Sequence, residues 1–147
     1  MENTEINTII LHCSDSEFGD VEEIDAWHRV RGWAGIGYHF VITNGRLKSN
    51  EAYAQYNDGL IQPGRAITRV GAHCKGHNTG SIGICLIGKH GFTGKQLYQA
   101  LPELLRKLML EYDIPVHRVF GHCELDRGKT CPNMSPEIIR KIAEYSV

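Results

Sequence analysis

The sequence of 147 residues lacks any long apolar run, and it lacks an excess of charge of either sign. A membrane-spanning helix needs about 20 consecutive apolar residues, and no segment of the chain reaches that length. The formal net charge is -1, which gives no broad electrostatic reason to expect binding to nucleic acid or to a membrane surface. We therefore expect neither nucleic acid nor a membrane among its partners.

Internal repeats, low-complexity segments and a secretory signal are also missing from the sequence. A signal needs a basic start and then a longer apolar stretch, whereas residues 1–8 are polar and carry two glutamates. These features predict a single domain over residues 1–147 that is cytoplasmic on synthesis. If the protein acts outside the cell, another factor must release it.

Cysteines are odd in number, and histidines are numerous. Five cysteines without a secretory signal argue against a disulfide framework, so most of these thiols are expected to be small buried side chains. Apolar residues make up 41% of the chain, which is enough to form a core without disulfide or metal support. With eight histidines in a chain of this length, some are expected to have a chemical role.

Short apolar segments alternate with helical patterns along the chain. Strands are predicted at residues 8–12, 37–43 and 81–88, with a shorter one at 118–121. The Asn-Gly pair at 44–45 is the strongest hairpin signal in the sequence. The alternation of strands and helices predicts an α/β domain built on a sheet, and it leaves the strand order open.

Three helices have signals for their N-termini. Asp20 is expected to cap the first, and Thr93 with Gln96 to form a capping box at the second. Pro102 lies within the apolar pattern of the second helix and predicts a kink or a separate first turn. Ser135 is expected to cap the last helix.

A possible metal site is indicated by His12, His122 and Cys131. The two histidines stand at the ends of predicted strands, and the cysteine lies in the loop that follows His122. Catalytic zinc uses three protein ligands and an open position for water, and it accepts both imidazole nitrogen and thiolate sulfur. Copper is an alternative because Met134 follows Cys131 closely, although the histidine usual between such a pair is missing.

Neighbouring cysteines are expected to have a different environment. Successive side chains of a strand point to opposite faces, so Cys13 and Cys123 are expected to face the core if His12 and His122 face a metal. We expect His28, on the first helix, to be a surface residue.

These residues lie in segments that resemble the zinc-dependent N-acetylmuramoyl-L-alanine amidases of the type 2 family. That family includes amidase-type phage lysozymes (endolysins) and is related to peptidoglycan recognition proteins. The matching segments occur in the family's order and cover residues 9–132. They are IILHCS, WHRVRGWAGIGYHFVI, DGLIQPGR, GAHCKGHNTGSIGICLIG and GHCELDRGKTCP.

The resemblance implies the site and the reaction. His12, His122 and Cys131 become the ligands of a Zn²⁺ cofactor, on a single domain with a central mixed β-sheet flanked by helices. A tyrosine and a lysine of the family carry over onto Tyr38 and Lys129 as catalytic residues. The implied reaction is hydrolysis of the amide between N-acetylmuramic acid and L-alanine in peptidoglycan.

Catalytic roles follow for these two residues. Lys129 is placed to stabilise the negative charge of a tetrahedral intermediate, and Tyr38 to orient water or donate a hydrogen bond. The sequence does not decide which of them passes a proton to the leaving nitrogen. Glu124 and Asp126 are weaker candidates for a general base.

Two further segments are expected near or around the site. In the Gly-rich loop 71–80, His73 is expected to contact substrate, and Asn78 to bind substrate or to tie the loop's backbone. Roughly residues 46–57 are extra compared with shorter relatives. This insert is expected to enlarge a surface loop, although it could border a substrate groove.

Three functions remain open at this point. The first is a phage or prophage lysin that cleaves the wall and lyses the host, and the second is a cytoplasmic recycling amidase acting on soluble anhydro-muropeptides. The third is a peptidoglycan-binding module without catalysis, which the presence of Cys131, Tyr38 and Lys129 disfavours. We expect a monomer whose partner is peptidoglycan or a muropeptide. Some amidases of this type also bind a polymerase, but nothing in this sequence identifies such a surface.

Overall fold

Five strands form a single sheet in the computed structural model, which describes residues 5–146. The strands are β1 (Thr8–Cys13), β2 (Phe40–Asn44), β3 (Asp58–Pro63), β4 (Ser81–Leu86) and β5 (Val119–Gly121). The helices are α1 (Val21–Val30), α2 (Leu101–Tyr112), α3 (His122–Leu125) and α4 (Pro136–Ser146). Within residues 5–146, no helix is long and apolar enough to cross a membrane.

The sheet is mixed, with the strand order β3-β2-β4-β1-β5. β1 pairs in parallel with β4 and β5, β2 pairs in parallel with β4, and only β2 and β3 are antiparallel. β1 is an inner strand and is buried along its whole length, as its run Ile9, Ile10 and Leu11 predicts for a strand covered on both faces. The predicted α/β class is confirmed.

Helices cover both faces of the sheet and form two apolar clusters. The larger lies under α2 and α4 and includes Ile9, Leu11, Leu105 and Ile139. The smaller lies under α1 and includes Ile24, Val41, Cys85 and Ile87. Because side chains alternate along β1, His12 projects on the face opposite to Ile9 and Leu11, which is the face that α1 covers.

The expected caps form at all three helix N-termini. The Asp20 carboxylate accepts the Glu23 N–H at 2.8 Å. Thr93 and Gln96 form the reciprocal capping box: Thr93 N–H donates to the Gln96 amide oxygen at 2.8 Å, and Gln96 N–H to the Thr93 hydroxyl at 3.1 Å. The Ser135 hydroxyl accepts a backbone N–H of α4 at 3.3 Å.

The second helix is interrupted near Pro102, as predicted. A π-helical turn over Gln96–Ala100 precedes α2, and the proline occupies the first turn of α2 directly after it. Gln96 also has a second role besides capping the helix. Its buried amide donates to the carbonyls of Ile42 and Ile87 at 3.1 and 2.9 Å, which joins the helix to the sheet.

The hairpin signal at residues 44–45 marks a turn between two paired strands, but the connection is longer than two residues. β2 and β3 do pair antiparallel, with Asn44 opposite Asp58, but residues 45–57 connect them. Gly45 has a φ of +101°, so the dipeptide does turn the chain. The turn leads into a longer loop, which closes when Ala54 N–H donates to the Gly45 carbonyl at 2.9 Å.

The insert near residues 46–57 lies against the start of α1. The Lys48 ammonium contacts three carboxylates there, those of Asp20, Glu22 and Glu23. The Arg46 carbonyl accepts the Gly19 N–H at 2.9 Å. Since these contacts hold the insert to the helix start, and since its residues do not line the site cavity described below, the structure supports the surface-loop interpretation.

Candidate metal centre and active site

Parallel pairing of β1 and β5 places His12 and His122 side by side. Leu11 lies opposite Gly121 in the register, so each histidine is the next residue beyond a matched pair. Their ring centroids are 4.6 Å apart. His12 is buried and His122 is half-buried. The predicted shared edge is confirmed, and it arises from strand register.

Cys131 completes a group of three potential ligands. One ligand atom each from His12, His122 and Cys131 lies within 4.8 Å of the other two. The loop is folded back by a hydrogen bond from Cys123 N–H to the Cys131 carbonyl at 2.7 Å, and Cys13 N–H donates to the Cys131 sulfur at 3.0 Å. Two imidazoles and one thiol can hold a metal ion and fit a catalytic zinc site.

The copper alternative receives no support from the position of Met134. This side chain packs against the larger apolar cluster under α2 and α4. An axial copper ligand would have to approach the metal from the open side of the three ligands. Zinc is therefore the better match to the donors that the fold brings together.

Burial sets the protonation of the three donors. It lowers the pKa of His12 well below its ordinary range, with further contributions from His73 and His122. Burial also lowers the pKa of His122. Both imidazoles are thus neutral at physiological pH and keep a lone pair. The pKa of the Cys131 thiol is raised, first by its hydrogen bond with the Cys13 thiol and then by burial, so metal binding must displace its proton.

Strand alternation explains only one of the two neighbouring cysteines. Cys13 is buried as expected, yet its thiol meets the Cys131 thiol beyond the strand end. The expectation that Cys123 faces the core was wrong. Cys123 is half-buried, because His122 already begins helix α3 and the two-residue alternation of a strand no longer applies.

A cavity of about 600 Å³ opens at this group, and two of the three potential ligands, His122 and Cys131, line it. Tyr38 and Lys129 both line it. The Tyr38 ring lies 5.0 Å from the His12 ring, and Lys129 stands exposed on the loop between His122 and Cys131. The structure therefore brings the two residues to the cavity that His122 and Cys131 also line.

Tyr38 is held in its protonated form. Burial raises the pKa of its hydroxyl well above the ordinary value, and the nearby thiols of Cys85 and Cys131 act in the same direction. A phenol that does not ionise near neutral pH can donate a hydrogen bond but cannot serve as a general base. The raised pKa is therefore compatible with a Tyr38 hydroxyl that donates a hydrogen bond at the site.

The two acidic residues of the same loop have separate environments. Glu124 accepts the Gly121 N–H at 2.7 Å and forms an ion pair with Arg140, so it fastens the loop to α4. Asp126 lines the cavity, with a carboxylate oxygen 3.8 Å from His122 Nε2. Asp126 is thus the better placed of the two to act on the site.

The sequence analysis missed His28, and its assignment to the surface was wrong. His28 is buried and lines the cavity. Its Nδ1 accepts the Gly37 N–H at 3.0 Å, which also keeps Gly37 out of the predicted strand. The signal was present in the sequence: His28 follows the buried Ile24 by four residues and so lies on the same helix face.

His73 and Asn78 lie at the inner wall of the cavity. The Asn78 amide oxygen accepts the N–H groups of His73 and Cys74, both at 2.8 Å, which fixes the backbone of the Gly-rich loop. The His73 ring is directed at His12, with His73 Nδ1 2.9 Å from His12 Nε2. Contact of either residue with substrate stays a prediction.

The buried neutral histidines predict a loss of stability in acid. Burial lowers the pKa of His28 to about 4 and of His73 to about 3. Both pKa values lie below the ordinary value of about 6.5, so the unfolded chain takes up more protons as the pH falls below that value. Stability should be complete above about pH 6.5 and decrease towards pH 4, with about 2 kcal/mol per histidine lost by pH 5.

Urea unfolding of the chelator-treated protein at pH 7.5 and at pH 5 measures this effect. The His28→Asn variant should depend less steeply on pH than the unmodified chain. An unchanged free energy of unfolding between the two pH values would contradict the prediction.

Comparison with known proteins shows which family the chain resembles. Residues 2–134 match the N-acetylmuramoyl-L-alanine amidase family. The endolysin of Escherichia phage T7 is 36% identical over 138 residues, which span 86% of this chain and 80% of that protein. Peptidoglycan-recognition protein LB of Drosophila melanogaster is 30% identical over 116 residues, spanning 76% of this chain and 44% of that protein.

Solved structures agree with the sequence comparisons. The N-acetylmuramoyl-L-alanine amidase LysC from Clostridium intestinale has a TM-score of 0.75 at 30% identity, and the match covers 95% of this chain and 85% of that one. The chain therefore belongs to the N-acetylmuramoyl-L-alanine amidase family and is an enzyme of that activity, similar to the phage endolysins.

Proposed function

We propose that the protein is a zinc-dependent lysin that cleaves the bond between N-acetylmuramic acid and L-alanine in intact peptidoglycan. The observation that carries the proposal is the group of His12, His122 and Cys131, whose donor atoms lie within 4.8 Å of one another, with His122 and Cys131 lining the cavity. The donor set suits zinc, and Tyr38 and Lys129 line the same cavity.

Zinc bound here would lower the pKa of a bound water towards about 7 and polarise the amide carbonyl. The protein's own residues supply the remaining chemistry. Lys129 carries a positive charge at the mouth of the cavity and would stabilise the oxyanion of the tetrahedral intermediate through Nζ–H. Tyr38 keeps its proton and would donate a hydrogen bond from Oη to the reacting centre.

Walls of the cavity orient the substrate and restrict water. His28 and Tyr38 pack together with ring centroids 5.5 Å apart, and the Trp33 ring lies 4.5 Å from that of His28. This aromatic wall continues to the exposed Arg31, whose guanidinium lies 5.8 Å from the centre of the Trp33 ring. An apolar wall with a cationic rim suits a sugar–peptide junction that carries carboxylates.

Similarity to phage endolysins favours a wall lysin over a recycling enzyme for soluble fragments. The protein would be made in the cytoplasm and would reach the wall after release, causing host lysis. A binding module without catalysis is disfavoured because the three potential ligands lie together and both proposed catalytic residues line the cavity beside His122 and Cys131.

Zinc removal tests the proposed function. Protein treated with a strong chelator should lose cleavage of purified sacculi, and one equivalent of Zn²⁺ should restore it, whereas Mg²⁺ should not. Peptides with a new L-alanine N-terminus should appear in the soluble fraction. Activity that survives complete removal of zinc would contradict zinc dependence, and cleavage of soluble anhydro-muropeptides without cleavage of sacculi would favour the recycling role.

A further inference from the structure

A chain of buried hydrogen bonds leads from Ser81 at the start of β4 to His12. His73 occupies the middle: its Nε2 lies 3.2 Å from the Ser81 hydroxyl oxygen, and its Nδ1 lies 2.9 Å from His12 Nε2. The Ser81 hydroxyl oxygen also lies 2.7 Å from the His77 carbonyl and 3.0 Å from that of Asn78. The side chains of Ser81, His73 and His12 are thus linked one after another, and two backbone carbonyls contact the Ser81 end.

The direction of every hydrogen bond in this chain follows from its carbonyl end. A carbonyl can only accept, so the Ser81 hydroxyl donates its single proton to His77 or Asn78. Ser81 Oγ must then accept from His73 Nε2–H. A neutral imidazole that donates through Nε2 accepts through Nδ1. His73 Nδ1 therefore receives the proton of His12 Nε2–H.

We propose that His73, oriented by Ser81, is a positioning residue that fixes the tautomer and ring orientation of His12 for metal binding. With its proton on Nε2, His12 keeps the lone pair of Nδ1 free for the metal. Metal-binding histidines in proteins commonly donate their second ring N–H to a fixed acceptor, and that acceptor strengthens the ligand. This inference rests on the proposed metal role of His12.

The backbone leaves room for the His73 ring in one place. A side chain at Gly83 of β4 would come within 2.6 Å of the ring, and one at Gly71 would also come within 2.6 Å. The two glycines therefore let the ring lie directly on the sheet next to His12. Asn78 holds the His73 backbone from the other side. The ring is 9% exposed, so its fixed orientation is a property of the fold.

Zinc affinity, measured by competition with a chromophoric chelator, tests the proposal without any assay of catalysis. His73→Leu removes the acceptor and should weaken zinc binding about 10- to 100-fold, the usual cost of losing such a partner. His73→Asn should recover most of the affinity, because its amide oxygen can reach the place of Nδ1. His77→Leu, which removes an exposed histidine from the same loop, is the matched control and should bind zinc normally.

The outcomes separate this inference from the proposed zinc site. If the unmodified protein binds no zinc, the metal proposal itself fails. If it binds zinc, and folded His73→Leu has a zinc affinity within twofold of the unmodified protein, only the positioning role fails. The positioning role also fails if His73→Asn binds zinc as weakly as His73→Leu. Thermal melts of the metal-free variants establish folding. Should His73→Leu not fold, Ser81→Ala decides, with about a 10-fold loss expected and unchanged affinity overturning the role.

Discussion

Cys131→Ser is expected to abolish zinc binding and to lower turnover on sacculi at least about 1000-fold, since zinc contributes several kcal/mol to such reactions. Cys131 is the single thiol among the three donors within 4.8 Å. A serine hydroxyl is far less acidic than a thiol and does not become an anionic ligand near neutral pH. Two imidazoles alone would leave the site one ligand short of the usual three.

Cys123→Ser is the matched control for this prediction. Cys123 lies next to His122 and is half-buried, but its sulfur is outside the group of potential ligands. The control variant should keep one equivalent of zinc and turnover within about twofold of the unmodified protein, because surface-proximal changes away from ligands usually have small effects. Zinc content by atomic emission and release of soluble peptide from sacculi measure both properties. A Cys131→Ser protein with full zinc and normal turnover would exclude Cys131 as a ligand.

Local signals predicted the elements that local chemistry specifies. The capping box of Thr93 and Gln96 forms with both hydrogen bonds because the two side chains satisfy backbone groups within one turn. The buried strand β1 follows from an apolar run that only a fully covered strand accommodates. The partners of the capping box are close in the chain, and the apolar run of β1 is itself the signal for burial, although the strands that pair with β1 are distant.

Tertiary contacts decide the length of the connection between β2 and β3. The turn at residues 44–45 has the right chemistry for a tight hairpin. The Thr43 hydroxyl nevertheless donates to the Asn57 carbonyl and accepts the Leu60 N–H, at 2.6 and 3.0 Å. Lys48 is meanwhile held by the acidic start of α1. These partners are 14 or more residues apart, and no short-range rule describes their competition with a two-residue turn.

Two kinds of sequence evidence predicted the candidate site, the positions of residues along the chain and the family resemblance. Strand-end positions indicated His12 and His122, because parallel strands bring equivalent ends together. Cys131 was proposed from its place in the loop after His122, whereas Tyr38 and Lys129 required the family resemblance, since loop geometry determines which side chains approach the histidines. His73 was expected to contact substrate because it lies in a Gly-rich loop. Its hydrogen bond with His12 was missed because the two residues are 61 apart in the chain, and the loop sequence does not indicate where the His73 ring points.

Lys129→Ala and Tyr38→Phe are each expected to lower kcat by about 100- to 1000-fold while zinc stays bound, the usual cost of losing one donor to a developing oxyanion. Neither side chain is among the potential metal ligands, although both line the cavity. The charge on the intermediate develops only as the amide is attacked. Both losses should therefore appear in kcat, with little change in KM.

Variants at neighbouring positions separate catalysis from general effects of charge and packing. Arg127→Ala removes an exposed cation two residues from Lys129, and Arg127 does not line the cavity, so its kcat should be unchanged. If Arg127→Ala and Lys129→Ala reduce activity equally, and if added salt removes the effect of both substitutions, the lysine acts through the overall charge of the loop.

For Tyr38, the dependence of kcat on pH is the decisive measurement. The pKa of its hydroxyl is raised by burial, so the hydroxyl stays protonated and can donate a hydrogen bond throughout the neutral pH range. Tyr38→Phe should then lower kcat by the same factor at pH 6 and pH 8, whereas a tyrosine that acted as a base would give a loss that grows with pH.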